Sequence, residues 1–261
     1  MEKRDIILYL SLKNNGDWQS IYRDIVNKVP INDEEAFELI KTVKAKTLTI
    51  FDEEYPVCLT NMRNPPFVLY YYGDISLLSN LGKTIAVVGS RNYSDYGKMM
   101  TEKIVGVLAS ELIIVSGLAR GIDAISHCAC IKNNGKTIAV LPCGIDYCYP
   151  FENKSIYQVI KHNHLLISEY PNGFAPTENT CRFRNRIIAA LANSVLVTES
   201  YGPSGTLITV NCALEQGKEL FCVPYRHTDN SHCNRLIKEG AMLADDGKDI
   251  LYHLKKISWR Y

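Results

Sequence analysis

The sequence has no long hydrophobic run and no excess of charge of either sign. It contains no stretch of about 18 uninterrupted apolar residues, and its amino terminus lacks the apolar core of a signal peptide. The 261 residues include 29 basic and 28 acidic side chains, so no global field draws the chain to nucleic acid and any anion site has to be local. We therefore expect a cytoplasmic protein that makes no membrane contact.

Cys-x-x-Cys pairs are also absent. The nine cysteines are scattered, and several fall within predicted strands or helices, which predicts reduced and mostly buried thiols. A zinc site could be imagined from Cys143, Cys148, Cys181 and His127, but the spacings match no zinc ribbon or finger. Neither a metal site nor a cysteine nucleophile is predicted.

The segment 84–123 has the pattern of a strand-helix-strand unit. Two apolar runs rich in β-branched residues, 84–88 and 112–115, flank a stretch of helical periodicity and end in small residues. In a parallel sheet such turns lie at the carboxyl ends of the strands, where backbone N–H groups attract anions. The spacing is not the Gly-x-Gly-x-x-Gly fingerprint, so it predicts phosphate affinity without a particular cofactor. Alternatively, the glycines only turn the chain. The turn residues are Gly89, Ser90, Arg91, Ser116 and Gly117.

The first 60 residues differ from the rest. Three amphipathic segments between residues 5 and 51 predict a small helical domain over 1–60, followed by a second domain over 61–261. The run 67–72 predicts a strand. Its three tyrosines, Tyr70, Tyr71 and Tyr72, could stack on nucleobases, but the sequence favours an edge strand with alternating buried rings.

After residue 121, predicted helices and strands alternate regularly. This rhythm indicates an α/β fold with a doubly wound, mostly parallel sheet. The predicted helices span 121–133, 153–162, 185–192, 206–216, 234–239 and 248–255, and the predicted strands span 136–141, 165–167, 194–197 and 219–223.

The only concentrated basic cluster is predicted to form a loop just before the helix 185–192. Its arginines offer bidentate donors to phosphate, and its ring can stack on a base, as a single-strand binding site requires. The alternative is a solvated face with surface salt bridges, but the position before a unit of the same sheet favours binding. The cluster residues are Arg182, Phe183, Arg184, Asn185 and Arg186.

A second anion-binding turn is predicted at 202–206, where Ser204, Gly205 and Thr206 open a helix after the strand 194–197. The turn lacks the Gly-Lys-Ser/Thr ending of a P-loop, so no ATPase of that type is predicted. Asp123 and His127 lie four residues apart and should face one side of a helix, where a structural role is favoured over ligand contact.

Several motifs occur in a fixed order that resembles the DNA-processing protein A family (DprA, also called Smf) over residues 55–245. They are Gly89-Ser90-Arg91 with Ser94 and Tyr96-Gly97, Ser116-Gly117-Leu-Ala-Arg-Gly121-Ile-Asp123 with His127, Gly144-Ile-Asp146 with Tyr149-Pro150 and Asn153, Arg184-Asn-Arg-Ile-Ile-Ala189, and Ser204-Gly-Thr-Leu-Ile-Thr209.

The resemblance implies an extended Rossmann-like domain that binds single-stranded DNA, protects incoming strands in natural transformation and passes them to a RecA-type recombinase. It further implies a homodimer that is not an enzyme and holds no cofactor. By position it assigns DNA contacts to Arg91, to Arg184, Asn185 and Arg186 and to the neighbouring turn residues, with Lys154 as a weaker candidate.

The chain departs from the family in two ways. Family members typically have Phe-Pro-x before Arg-Asn-Arg, whereas this chain has Cys181-Arg182-Phe183. The aromatic ring therefore lies two positions later in this chain, and Arg182 adds a positive charge. No carboxy-terminal winged-helix domain is expected, since only some twenty residues follow the last matched segment.

Two other functions compete with DNA binding. The first is a nucleotide phosphoribohydrolase of the Lonely-Guy type, whose Gly-rich loop ends in a glutamate where this chain has Thr209; the missing carboxylate counts against catalysis. The second is a sensor domain that binds a small nucleotide without turnover.

Overall fold

The computed structural model describes residues 1–202 and 204–258. Its strands are β1 (Lys46–Thr49), β2 (Val68–Gly73), β3 (Thr84–Gly89), β4 (Ile113–Ser116), β5 (Thr137–Gly144), β6 (Leu165–Tyr170), β7 (Ser194–Glu199), β8 (Glu219–Cys222) and β9 (Met242–Leu243). Its α-helices are α1 (Lys3–Lys13), α2 (Trp18–Val26), α3 (Asp33–Lys41), α4 (Val57–Thr60), α5 (Asp95–Leu108), α6 (Ile122–Lys132), α7 (Lys154–Asn163), α8 (Glu178–Leu191), α9 (Gly205–Glu215), α10 (His232–Lys238) and α11 (Gly247–Ser258). Short 3-10 helices cover Ile75–Lys83, Phe151–Asn153 and His227–Asp229.

The strands form one sheet in the order β1-β2-β6-β5-β4-β3-β7-β8-β9. β2 runs antiparallel to both of its neighbours, and the other pairs are parallel. The predicted Rossmann-like α/β class is therefore confirmed. The chain builds the sheet from β3 to β6 in one direction and then crosses back through α8 to place β7 beside β3. The strand order thus reverses between β3 and β7, where open α/β sheets form their ligand crevice.

Helices cover both faces of the sheet. Within β3, Ile85 joins the core formed with α5, α6 and α11, whereas Ala86 joins the core formed with α8, α9 and α10. Strands with both faces covered are apolar throughout, which explains why the β-branched run 84–88 has no polar alternation.

The N-terminal helices pack against the sheet instead of standing apart. Buried residues of α1 and α2, such as Leu10 and Ile21, share a core with Tyr70 of β2, and the Ser11 and Tyr70 hydroxyls are 3.0 Å apart. The division into domains near residue 60 stays a prediction.

The prediction that β2 is an edge strand is wrong. Residues 46–49, included in the predicted helical region, form β1, which pairs with β2 and leaves it internal. Tyr70 is fully buried, while Tyr71 and Tyr72 are half-buried. The four-residue sequence of β1 is too short and too polar to show strand periodicity, because only Leu48 and Thr49 are buried.

All nine cysteines are free, and five of them are buried. Over residues 1–202 and 204–258, no group of three or more His, Cys, Asp or Glu side chains is placed to hold a metal ion. None of the helices in these ranges is both long and apolar enough to cross a membrane.

Candidate functional site

The basic cluster lies inside α8, so the predicted loop over residues 181–186 is wrong. The helix begins at Glu178 because Thr177 caps it: the Thr177 hydroxyl accepts the Thr180 N–H at 3.1 Å, and the Thr180 hydroxyl accepts the Thr177 N–H at 2.9 Å. This reciprocal cap satisfies two helix-end donors. The cap and the acidic Glu178 in the first turn mark the helix start in the sequence, whereas the run 178–186 has no apolar periodicity.

Helical geometry separates the three arginines of the cluster. Each residue turns the helix by about 100°, so Arg184 points roughly opposite to Arg182, whereas Arg186 lies nearly below Arg182. The side chains of Arg182, Arg184 and Arg186 therefore cannot form one continuous patch. Arg182 is exposed, while Arg184 and Arg186 are buried.

The first cavity lies at the point where the strand order reverses, between the ends of β3 and β7, and has a volume of about 740 Å³. It brings together most of the predicted site residues, drawn from the β3 turn, from α8 and from the start of α9. These residues are Gly89, Ser90, Arg91, Arg182, Arg184, Asn185, Ser204, Gly205 and Thr206.

Arg184 forms the floor of the first cavity. One of its guanidinium nitrogens donates to the Gly117 carbonyl at 2.7 Å and to the Val140 carbonyl, and only 4% of the residue is exposed. Burial lowers the pKa of this guanidinium, and the nearby Asp123 carboxylate opposes that shift. A Cβ at position 117 would lie 2.6 Å from the Arg184 guanidinium. Gly117 is therefore the residue that lets Arg184 reach the strand ends.

Two of the predicted turn residues lie beneath the floor and do not border the cavity. The Ser116 hydroxyl donates to the Val87 carbonyl at 2.7 Å, and the Gly117 N–H donates to the Asp123 carboxylate at 3.1 Å. Asp123 also borders the first cavity, and its carboxylate accepts the Gly117 and Ala119 N–H groups, so the structural role favoured from the sequence is consistent with its contacts and stays a prediction. His127 has a separate partner, the Thr137 hydroxyl at 2.7 Å from its Nδ1.

The start of α9 forms one wall of the first cavity. Asn185 ties it to α8, since its amide donates to the Gly205 carbonyl at 3.1 Å. Ser204 precedes the helix but makes no side-chain hydrogen bond to it. The Leu207 N–H donates to the Ser204 carbonyl at 3.2 Å, so it is the N–H groups of Gly205 and Thr206 that keep their capacity for an anion. Pro203, part of the predicted turn, lies outside the described residues.

Arg91 is the exposed cation at the rim. Its loop is fixed from behind: the Ser90 N–H donates to the Glu199 carbonyl at 2.9 Å, and the Ile122 N–H donates to the Ser90 carbonyl at 3.2 Å. Gly121 has a φ of +78°, and a Cβ there would collide with the Ser90 and Arg91 carbonyls. Among the residues that the structure describes, no carboxylate pairs with Arg91, so its charge is open to solvent.

The first cavity is also bordered by two aromatic residues that were not predicted from the sequence to belong to a site. Tyr149 is 38% exposed at the rim. Tyr201 follows β7, and burial together with the Glu199 carboxylate raises the pKa of its hydroxyl to about 12. Tyr149 could have been found from its motif with Pro150, whereas nothing in the sequence marked Tyr201.

The second cavity, of about 760 Å³, lies on the other side of Arg182 and contains the remaining members of the cluster, Phe183 and Arg186. Arg186 is held by the buried Glu169 carboxylate at 2.6 Å and donates to the Asn64 carbonyl at 3.0 Å. Its guanidinium carbon lies 3.7 Å from the centre of the Phe183 ring. Burial raises the pKa of Glu169, and the Arg186 charge counters that shift.

Lys154 is not brought to either cavity. It is exposed at the start of α7, and its ammonium group lies 5.3 Å from the centre of the Phe151 ring. Its predicted role in DNA binding has no geometric support here and stays a prediction.

Comparison with known proteins identifies the family. The model of the DNA recombination-mediator protein A family matches residues 46–255. DNA processing protein DprA of Streptococcus pneumoniae is 42% identical over 210 residues, covering 80% of this chain and 74% of that protein. The Bacillus subtilis DprA is 38% identical over 218 residues, with coverages of 82% and 73%.

Solved structures agree with this match. The Streptococcus pneumoniae DprA structure superimposes with a TM-score of 0.79 at 34% identity and covers 95% of both chains. A Helicobacter pylori DprA structure, described as giving insight into that protein's unique single-stranded DNA binding mode, has a TM-score of 0.74 at 29% identity and covers 82% of this chain and 97% of its own. The chain therefore belongs to the DNA recombination-mediator protein A family, whose members are also named DprA and Smf.

Proposed function

We propose that the first cavity binds single-stranded DNA. The observation that carries the proposal is Arg91, an exposed guanidinium with no ion-pair partner within residues 1–202 and 204–258, above a cavity of which one wall is the start of α9. Arg91 offers a bidentate hydrogen-bond donor to phosphate, and the start of α9 offers backbone N–H groups to the same site. The ring of Tyr149 at the same rim supplies a face on which a base can stack.

The cavity favours a flexible strand over a duplex. Its donors lie inside a crevice between α8, α9 and the β3 turn, where an unpaired backbone can bend in but a rigid double helix cannot follow. Arg184 adds positive charge from the floor, although its hydrogen bonds are directed to protein carbonyls. Direct phosphate contact by Arg184 stays a prediction, and so do the contacts assigned to Ser116 and Gly117.

The proposed activity is binding without catalysis. Thr209 borders the cavity at the position where a phosphoribohydrolase would carry its glutamate. The Asp123 carboxylate, which borders the same cavity, accepts the Gly117 and Ala119 N–H groups, and Glu178 is paired with Arg182. Competition between mononucleotides and single-stranded DNA distinguishes a nucleotide sensor from a protein that binds DNA strands.

Family membership supports the further roles. We propose that the bound strand is protected and delivered to a RecA-type recombinase, that the protein works as a homodimer, and that it does so in the cytoplasm. These proposals rest on membership of the recombination-mediator family and not on a contact within the described residues.

The test is a competition among single-stranded DNA, duplex DNA and mononucleotides for the wild-type protein and Arg91→Ala. Single strands should bind most tightly, with a log–log salt slope of roughly −2 to −4 if about three to five phosphates are neutralised. Arg91→Ala should lose about 1–3 kcal/mol of binding free energy. Arg23→Ala, which removes an exposed arginine of α2, is the control and should bind normally. Stronger duplex binding, a flat salt response or preference for a mononucleotide would overturn the proposal.

A further inference from the structure

The second cavity is bordered by more cationic than acidic side chains, and the ion pairs within the protein do not account for all of these cations. Four cationic residues and one acidic residue border it, in a chain whose net charge is only +1. Two of the cations are engaged, since Arg186 is paired with Glu169 and Arg182 with Glu178. The other two are Arg63 and Lys218, which form no ion pair within residues 1–202 and 204–258. Their charges face the cavity with only Glu215 to oppose them.

The two cavities are neighbours that share part of their walls. Arg182 of α8 and Ile208 of α9 border both, so the two cavities meet at these side chains. Arg182 stands at this crossing with 61% of its side chain exposed. An exposed guanidinium between two cation-lined cavities is suited to a backbone phosphate.

The second cavity also contains a ring that is held in place before any ligand arrives. The Arg186 guanidinium packs on Phe183 at 3.7 Å, and the pair with Glu169 fixes Arg186 in turn. A fixed ring loses little conformational entropy when a base stacks on it. Phe183 is half-buried, and its remaining surface borders the cavity.

Resting on the proposed function, we infer that the second cavity binds the continuation of the same DNA strand. The strand leaves the first cavity over Arg182, stacks one base on Phe183 and places phosphates near Arg63 and Lys218. The shifted ring and added arginine of Cys181-Arg182-Phe183 then act at the crossing between the cavities. A polyanion with flat bases fits this combination, because the cations suit phosphates and the ring suits a base.

Oligonucleotide length separates this inference from the proposed function. Oligothymidylates of about four nucleotides should fit the first cavity alone, whereas those of about twelve should reach both, within the range of single-strand site sizes. We expect Arg63→Ala/Lys218→Ala to bind the short oligonucleotide like the wild type and the long one about tenfold more weakly. Its salt slope for the long oligonucleotide should be less steep by about 1.4, since two phosphate contacts are lost. Arg91→Ala should weaken binding of both lengths.

Two further variants complete the experiment. Phe183→Leu keeps an apolar side chain against Arg186 and should weaken binding of the long oligonucleotide by about fivefold at both low and high salt, because stacking depends little on salt. Arg23→Ala/Lys132→Ala removes the same charge from exposed positions outside both cavities and should bind both lengths normally.

The inference is overturned if Arg63→Ala/Lys218→Ala binds the long oligonucleotide like the wild type. It is also overturned if the variant loses affinity equally for both lengths, since the two charges would then act on the first cavity from a distance. Failure of the proposed function has a different signature, namely short-oligonucleotide binding that is insensitive to Arg91→Ala.

Discussion

Arg91 and Arg184 border the same cavity with the same functional group, yet their surroundings differ in every respect that matters for a ligand. Arg91 is exposed on a loop fixed by its backbone, and its guanidinium has no protein partner among the described residues. Arg184 is buried, donates to two backbone carbonyls and to the Asn185 amide oxygen, and lies near the Asp123 carboxylate. The Arg91 guanidinium is available to a phosphate, whereas the Arg184 guanidinium already donates hydrogen bonds to groups of the protein.

This difference divides the candidate site into a rim and a floor. The rim consists of the exposed residues Arg91, Arg182 and Tyr149. The floor, taken here over both cavities, consists of buried polar groups on α8 and behind it, namely Arg184, Arg186, Glu169 and His127. Burying a charge costs free energy unless it is paired and hydrogen-bonded, so the floor groups depend on one another. Substitutions in the floor should therefore change the free energy of unfolding first, whereas substitutions at the rim should change binding alone.

The largest effect is expected for Arg186→Ala, which leaves the Glu169 carboxylate buried without its partner at 2.6 Å. Truncating one member of a buried ion pair costs about 3–5 kcal/mol, measured by denaturant unfolding. The matched control on the same helix is Arg182→Ala, whose exposed pair with Glu178 should contribute less than about 1 kcal/mol.

A double variant shows whether charge or packing causes this loss. Glu169→Gln combined with Arg186→Ala removes the unpaired charge and should recover part of the stability. If Arg186→Ala and Arg182→Ala proved equally stable, Arg186 would belong to the rim and the division would be wrong.

The next largest effect is expected for Arg184→Ala. The Gly117 and Val140 carbonyls lose their donor, and unsatisfied buried groups cost about 1–3 kcal/mol each, so we expect a loss of about 2–4 kcal/mol in unfolding free energy. Arg184→Lys should recover only part, since lysine lacks the planar fork. Arg91→Ala should unfold like the wild type. An Arg184→Ala protein of normal stability and weakened DNA binding would return Arg184 to the role predicted from the sequence.

The strands of the sheet could be predicted from the sequence because their composition is distinctive. The runs 84–88 and 194–197 are buried on both faces and hence apolar throughout, and small residues mark their ends. The sequence also predicted one crevice formed by the turns after β3 and β4, because parallel strands bring their carboxyl ends to one edge. In the structure the β3 turn instead borders the first cavity together with the start of α9, and neither Ser116 nor Gly117 borders it.

The environment of each arginine could not be predicted in the same way. Arg182, Arg184 and Arg186 are three identical residues at alternate positions, and only the register of α8 decides which is exposed. That register depends on the cap at Thr177 and on Gly117, 67 residues away from Arg184, which makes room for its guanidinium. Neither relation leaves a periodic signal in the sequence.

A smaller effect, visible in the pH dependence of stability, is expected from His127 in the floor. Burial, with the nearby His164 and Arg184 charges, lowers the pKa of His127 to about 3 from an ordinary value of 6.5. The unfolded chain therefore binds the extra proton between these values. The contribution is complete above about pH 6.5 and is lost by up to about 1.4 kcal/mol per pH unit as the pH falls toward 3.

The corresponding experiment compares unfolding free energies from pH 7 to pH 4. His127→Gln should show a shallower decline than the wild type, whatever its stability at neutral pH. His162→Gln, at an exposed position of α7, should follow the wild-type profile. Parallel profiles for His127→Gln and the wild type would remove His127 from the titrating part of the floor.

The smallest effect concerns the acidic residue at the rim. Glu178 borders the first cavity and pairs with the exposed Arg182, so it repels phosphates and occupies a cation that a strand could use. Glu178→Gln should lower the unfolding free energy by only about 0.5 kcal/mol, as for other exposed helical pairs. Its affinity for single-stranded DNA should rise about two- to fivefold at low salt and less at high salt, because Arg182 no longer exchanges its partner Glu178 for the strand and one repulsive charge is removed. Glu38→Gln, which breaks the exposed pair with Lys41 on α3, should lose similar stability and leave binding unchanged. Equal affinities for Glu178→Gln and Glu38→Gln would show that Arg182 lies off the path of the strand, and the rim would then shrink to Arg91 and Tyr149.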